Sequence, residues 1–357
     1  MGGMVFIILL VLMGMAGYLI MPDKTPYANT MHLQLSNKKP FRSFTFMVLS
    51  RKPVKQVGFF DKMLYGQEAG FKSIPVTSYR FVGDSVLVRE YIGDDEQAEE
   101  TAYSLKALCP DCPRGEDAAA FFVAQNIYQQ SFYFGTDIYG RDLLSRLILA
   151  IRVSLSVGLM AVLISLFIGV SLGAIAGYFG GRTDALISWF MNVIWSLPSL
   201  LLVIAISFAL GKGFWQIFIA VGLSTWVDVA RLVRGQVMAL KEVEFVEAAK
   251  ALGFSKARTI AVHILPNIAG PVLVVASANF ASAILLETGL SFLGFGAQPP
   301  MPSWGSMIKE HYAYIIMDAA YLAVLPGLAI MLTVYAFNVL AIGLRDAFDV
   351  KAQNTGI

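Results

Sequence analysis

Four groups of residues in this chain are of a type and spacing that could do work. Its only two cysteines form Cys109-Pro-Asp-Cys112, a spacing open to a structural disulfide, free thiols, a redox pair or a shared metal site. Two ligands alone do not close a zinc site, and nothing around them reads as a thioredoxin βαβ unit. Glu287, in Leu285-Leu-Glu-Thr-Gly289, is a carboxylate inside an apolar run, where burial is costly and a functional role is the default reading. The three histidines, His32, His263 and His311, are far apart, and no Ser/His/Asp or metal-ligand cluster accompanies them. The last group is mechanical. Residues 242–267, charged and mostly polar, interrupt a chain that is strongly apolar from Val153 to Leu344.

The elements that must position these residues are membrane helices. Hydrophobic residues make up 57% of the 357 and charged ones only 15%, and mean hydropathy is +0.64, outside the balance of a soluble domain. Net charge is +2, with basic residues spread thinly and no basic patch interleaved with aromatics, so nothing points to nucleic acid. Crossing a roughly 30 Å hydrocarbon core takes about 20 residues. Six runs approach that length: 4–21, 153–179, 185–210, 214–230, 271–293 and 319–344. Backbone groups in lipid must be satisfied internally, so the runs are expected to be helices of an all-α bundle. The first run lacks a basic leader and an A-x-A site before Pro22, which favours an uncleaved anchor over a cleaved signal.

Loop charge orients the bundle. Arg231, Arg234, Lys241, Lys250, Lys256 and Arg258 place 231–263 in the cytoplasm, with Arg345 and Lys351 of the tail. Counting back puts residues 22–150 outside. Arg141, Arg146 and Arg152 argue against that side, and Asp137 and Asp142 partly offset them. Roughly 130 residues are too many for a loop without structure of its own. Stretches 41–50 and 80–92 are rich in β-branched and aromatic residues, and Phe81-Val-Gly-Asp-Ser-Val-Leu-Val88 reads as two strands around a turn. The acidic patch Asp94, Asp95, Glu96, Glu99, Glu100 is expected to run helically into Ala107. The divisions expected are an anchor at 1–21, an outer α+β insertion at 22–134, a membrane domain at 135–350 and a tail at 351–357.

Within 242–267, helical spacing puts Phe245, Ala248, Ala249 and Leu252 on one face, with Glu244, Glu247 and Lys250 toward the rim. Gly253 suits a left-handed helix end, Ser255 caps a second helix, and Pro266 is expected to end it before the fifth span. Two short helices at an angle form a foot that transmits a push; the alternative is an amphipathic helix on the inner leaflet. Gly169, Gly173 and Gly177, every four residues along the second span, predict close helix packing against a neighbour in this chain or in a partner.

Glu247-Ala248-Ala249, three residues, Gly253, then Leu265-Pro266 resembles the loop of permease subunits of bacterial ABC importers that engages their ATPases. His263-Ile-Leu-Pro-Asn267 is similar to the dipeptide, oligopeptide and nickel branch. So are Gly135-Thr-Asp-Ile-Tyr-Gly-Arg-Asp142, Ala176-Gly-Tyr-Phe-Gly-Gly181, Arg231-Leu-Val-Arg-Gly-Gln236 and Leu290-Ser-Phe-Leu-Gly-Phe-Gly296. The likeness covers residues 135–350 and is nearest the second, C-type permease; the insertion at 22–134 is longer than that family usually carries. The resemblance implies a type I importer fold in the bacterial inner membrane, and a peptide pathway coupled to ATP hydrolysis. It also implies a second permease, two cytoplasmic ATP-binding subunits holding the ATP and Mg2+, and an outer substrate-binding protein. No cofactor is expected in this chain: Gly211-Lys212-Gly213 lacks the upstream glycine and the hydroxyl of a phosphate-binding loop. On this reading Glu287 either pairs with a peptide amino group or fixes its helix to a nearby donor. The insertion either docks the substrate-delivering partner or braces the bundle. Permeation of a nickel chelate and a stand-alone secondary carrier are the alternatives; the latter predicts inverted repeats and several midplane ionisable groups, of which one carboxylate is evident.

Overall fold

The computed structural model describes residues 2–54, 56–94, 98–110, 112–113, 117–211 and 213–354. Asp95 and Glu96 of the acidic patch, Lys212 and tail residues 355–357 lie outside the described residues. In chain order the main elements are α1 (Gly2–Met15), β1 (Arg42–Arg51), α2 (Phe59–Tyr65), β2 (Phe71–Val82), β3 (Ser85–Glu90), β4 (Glu100–Ser104), α3 (Asp117–Asn126) and β5 (Ile127–Phe132). They continue as α4 (Leu143–Phe179), α5 (Gly181–Trp195), α6 (Ser199–Leu210), α7 (Phe214–Leu240), α8 (Glu244–Ala251), α9 (Lys256–Phe292), α10 (Trp304–His311) and α11 (Tyr321–Asn354). Two compact units result: residues 13–150 with 311–322, and residues 1–12, 151–310 and 323–357.

The first unit is built on an antiparallel sheet of order β4-β3-β2-β1-β5. The expected turn is present, with Gly83 at φ +59 and Val82 opposite Ser85. β1 is buried on both faces, which explains its nearly continuous apolar run. On one side Met47 packs with Val86, Val88 and Phe122 of α3; on the other, Phe44 and Phe46 pack with Leu35 and Phe132. The acidic patch does not lead into a helix: Glu100–Ser104 is an edge strand, followed by a single turn at Leu105–Leu108. Pairing of β4 along β3 sets Glu100 between two arginines, 2.6 Å from Arg80 and 3.2 Å from Arg89, and this cross-strand arrangement overrides the local helix tendency. Cys109 and Cys112 are joined by a disulfide just beyond that turn.

The Gly135–Asp142 motif is a tightly tied corner of the same unit. Asp137, fully buried, accepts from the backbone N–H of Tyr139 (2.8 Å) and Arg141 (2.9 Å) and from Arg141 Nε (2.6 Å). Arg146 is also buried, 3.7 Å from the same carboxylate. Two of the three arginines that strained the charge count, Arg141 and Arg146, are therefore held inside a fold. Burial raises the Asp142 carboxyl to about 6, although the Ser145 hydroxyl and N–H both donate to it.

In the second unit, four helices among the described residues are long and apolar enough to span: α4, α7, α9 and residues 321–348 of α11. The expected third span is not straight. α5 and α6 meet at a 94° bend across residues 196–198, where Pro198 has no N–H to donate and its ring disfavours the helical conformation for the residue before it. α1 is shorter than expected, 14 residues, with one further turn at Gly17–Ile20. The fourth span is longer than expected: α7 runs on past Asp228 through the Arg231–Gln236 motif to Leu240. Arg234 forks onto Asp184 of α5 at 2.5 and 2.7 Å, and Arg231 lies 4.1 Å over the Trp195 ring while donating to Asn192 (2.7 Å). These basic residues thus fasten α5 to α7 in place of a loop. Deeper in the bundle, Asn279 of α9 donates to the Thr225 carbonyl at 3.2 Å and reaches Ser165 of α4 at 3.5 Å, one amide linking three helices.

Candidate functional site

The foot is α8 plus the first turns of α9. α8 ends in a Schellman motif: Gly253 has φ +80, its N–H bonds the Lys250 carbonyl (3.0 Å), and the Phe254 N–H bonds the Ala249 carbonyl (3.2 Å). A Cβ at Gly253 would meet nothing within 4 Å, so glycine is required there by backbone conformation and not by space. Ser255 then caps the next helix, its hydroxyl accepting from the Arg258 N–H at 3.3 Å. Phe254 is clamped in the corner, stacked on His263 (centroids 5.5 Å, 8° apart) and covered by the Arg258 guanidinium at 4.4 Å.

Pro266 does not stop the helix. The chain widens into a π turn at Thr259–Ile264, tightens to 3-10 geometry at Leu265–Ile268, and proceeds as α-helix to Phe292. Proline removes one backbone donor; the wider turn shifts the bonding pattern, and Asn267 Nδ2 donates to the His263 carbonyl at 2.6 Å. The second arm of the foot is therefore continuous with the fifth span, a stiffer connection than two separate helices.

The faces of α8 also differ from the simple wheel. Val246 and Ala249 are the buried pair, whereas Phe245 (40% exposed), Ala248 and Leu252 (74% exposed) point outward. Val246 packs with Ile264 and Ile268 of α9, Val233 and Val237 of α7, and Ala174 of α4. Each such fully buried aliphatic side chain contributes about 1.5–3 kcal/mol. The result is an anchored inner face and a small apolar outer face rimmed by the exposed Glu247 and by Lys250, whose Nζ donates to the Lys241 carbonyl at 3.0 Å. Leu265 is half-buried and Pro266 exposed at the elbow. The sequence reading missed Val246, the residue that holds α8 down; its spacing to Ala249 (i, i+3) was the available signal.

The glycine stripe leads from this anchor into the bundle. A Cβ at Gly169 would lie 2.6 Å from Val229 Cβ and 2.8 Å from the Trp226 carbonyl oxygen. At Gly173 it would lie 2.5 Å from the Ala230 oxygen, and at Gly177 2.7 Å from the Arg234 oxygen. The packed neighbour is thus α7 of the same chain, met along one row of carbonyls and the valines 229, 233 and 237. Glu287 is not brought to this site. It is fully buried in α9, where Ser291 Oγ donates to its Oε1 at 2.6 Å and Ser303 stands 3.4 Å beyond.

A multi-pass helical membrane protein with an anchored hydrophilic foot between two spans is the class that the fold and site define. Residues 169–353 match the family described as "binding-protein-dependent transport system inner membrane component", and the chain belongs to that family. It is 44% identical over 222 residues to the dipeptide transport system permease protein DppC of Alkalihalophilus pseudofirmus, covering 62% of this chain and 73% of that one. It is 43% identical over 219 residues to the oligopeptide transport system permease protein OppC of Haemophilus influenzae (61% and 70%). With the glutathione transport system permease protein GsiD of Pectobacterium atrosepticum it shares 39% over 222 residues (62% and 73%). The chain is a multi-pass inner-membrane permease subunit of an ABC importer; ATP hydrolysis belongs to separate subunits, and a substrate-binding partner accompanies the family. A stand-alone secondary carrier is not favoured.

Proposed function

We propose that this permease carries di- or oligopeptides, and that its foot at 242–266 seats in a cytoplasmic ATP-binding subunit. The complete assembly pairs the chain with a second permease, two ATP-binding subunits that hold the ATP and Mg2+, and an outer binding protein; this chain itself carries no cofactor. The outer insertion, 22–134, lies on the delivery side.

The observation that supports the reading most is the two-sidedness of α8. Phe245, Ala248 and Leu252 offer an apolar outer face, while Val246 and Ala249 tie the same helix to Val233 and Val237. A push on the outer face is therefore delivered to α7 and, through the unbroken α9, to the fifth span. Nothing soft intervenes: the helix end is fixed by two backbone bonds and the corner by the stacked Phe254. ATP-driven closure of the ATP-binding subunits would then rock the spans from inward- to outward-open around the cargo path.

The test uses a single thiol. Because Cys109 and Cys112 are bonded to each other, Leu252→Cys supplies the one free cysteine. A short bifunctional reagent should join it to the ATP-binding subunit in the assembled complex. Labelling of that thiol only from the outer side of the membrane would overturn the proposal.

A further inference from the structure

A break in a membrane helix persists only where its freed backbone groups meet protein or water. The 94° bend between α5 and α6 is such a break. Asp228 of α7 faces it. Counted along α7, Asp228 lies about 21 Å from Phe214 and about 18 Å from Leu240, close to mid-depth. Trp195, Leu197 and Ser199 at the break, with Ser224, Val227 and Asp228 from α7, line a cavity of about 270 Å3.

This cavity is open in the lone subunit. Asp228 is exposed there, as are Trp195 (62%), Leu197 (49%) and Leu201 (61%). Ionisable side chains at this depth face a bundle interior or a water-filled path and not acyl chains. The Asp228 face therefore looks onto the path that a second permease completes, a step that rests on the reading given under Proposed function. Among the described residues Asp228 makes no hydrogen bond or salt bridge. Arg231, the nearest cation along the helix, acts on this carboxylate through space only, its guanidinium being turned onto the Trp195 ring and the Asn192 amide.

We infer that Asp228 is a cargo-binding residue, holding the amino-terminal ammonium of a peptide in transit. The carboxylate supplies a negative charge that no hydrogen bond or salt bridge among the described residues occupies, and the Ser199 and Ser224 hydroxyls supply further acceptors beside it. Trp195, Leu197 and Val227 form apolar walls for the side chain of the terminal residue. The volume is just below that of pockets that enclose whole small ligands, which fits capture of one end of a longer cargo. In secondary carriers, substrate sites lie near mid-depth at broken helices, because a helix break needs polar or watered surroundings; the same backbone requirement holds at this bend. Glu287, the carboxylate that sequence alone brings forward, is sealed in the protein and is no competitor for this task.

The experiment has two arms, both on the assembled complex with its binding protein in proteoliposomes, compared at equal amounts of co-purified ATP-binding subunit. In the first, Asp228→Cys is exposed to a cationic, membrane-impermeant methanethiosulfonate reagent. Labelling is expected, slowed at least threefold by a peptide with a free amino terminus; absence of labelling would place the residue in lipid or protein and overturn the inference. In the second, Asp228→Asn should raise the KM for peptide uptake at least tenfold and Asp228→Glu should return it to within threefold of the parent. Uptake by Asp228→Asn within twofold of the parent refutes the role of the charge. A parent complex that takes up no peptide at all refutes the cargo reading itself, and this inference falls with it.

Discussion

Leu252→Ala separates docking from folding, because the side chain is nearly idle in the lone subunit. It is 74% exposed on the outer face of α8 beside Phe245, which is 40% exposed. Fully burying a leucine is worth about 1.5–3 kcal/mol relative to leaving it in water. About three-quarters of that gain is unrealised before a partner arrives, so roughly 1–2 kcal/mol becomes available on docking. Truncation forfeits most of it. At 1.4 kcal/mol per factor of ten, association with the ATP-binding subunit should weaken about 5- to 30-fold. Folding stability should change by less than about 0.5 kcal/mol, as for other surface positions.

Val246→Ala is the matched opposite. Val246 is fully buried against Ile264, Val233 and Val237, so losing two carbons there costs about 2 kcal/mol of stability, transfer and cavity together. Its effect on docking comes only through a loosened foot. Both variants are assayed by titrating the ATP-binding subunit against purified permease in nanodiscs, with thermal melting in parallel. The reasoning fails if Leu252→Ala docks within twofold of the parent, or if it melts lower than Val246→Ala.

Three further outcomes are expected. Gly173→Ala places a Cβ 2.5 Å from the Ala230 carbonyl oxygen, a backbone contact that no rotamer relieves, and should cost about 1–3 kcal/mol in detergent unfolding, whereas Gly235→Ala in α7 meets nothing within 4 Å and should be neutral or stabilising. Gly253→Ala should cost about 1–2 kcal/mol through its φ of +80 alone, read as faster hydrogen exchange across residues 244–251 with the bundle unchanged. The Asp142 carboxyl is raised by burial from 3.8 to about 6, so the folded state binds the proton more tightly than the unfolded one. The stability it contributes is complete below about pH 4 and is lost as pH rises through about 6, a span worth about 2–3 kcal/mol. Asp142→Asn should flatten the pH dependence of melting of the first unit over that window; an unchanged slope would show that another group titrates there.

Much of this architecture was legible because the physics behind it is local. Run length and the demand that lipid-embedded backbone satisfy itself locate the spans, and Gly253 and Ser255 announce their turn and cap by residue type. What stayed hidden depended on contacts distant in sequence. α8 and its C-cap carry apolar residues at 245, 246, 248, 249 and 252, so the wheel admits two faces, and contacts with Val233 and Val237 decide which is anchored. β5 reads Ile-Tyr-Gln-Gln-Ser-Phe and is a strand because β1 pairs with it along Arg42–Met47. The bend at Pro198 was visible as a proline in an unbroken apolar run, but hydropathy sums do not register direction, so a straight span was the natural expectation.

The same principle bears on two of the three arginines that opposed the expected orientation. A charge count treats Arg141 and Arg146 as free loop cations that resist crossing the membrane. In the folded first unit, Arg141 closes on Asp137 at 2.6 Å, Arg146 lies 3.7 Å from the same carboxylate, and both guanidinium groups are shielded from water. Basic side chains engaged in this way bear on the packing of a corner, whereas those of the foot, Lys256 and Arg258 among them, remain on the surface where a sidedness rule applies. Asp137→Asn should therefore loosen the corner without inverting the protein: protease protection of the outer unit falls, while a thiol introduced at Leu252 keeps its cytoplasmic accessibility. Inversion of that accessibility would mean that the arginines govern topology directly, and that the foot does not face the ATP-binding subunits.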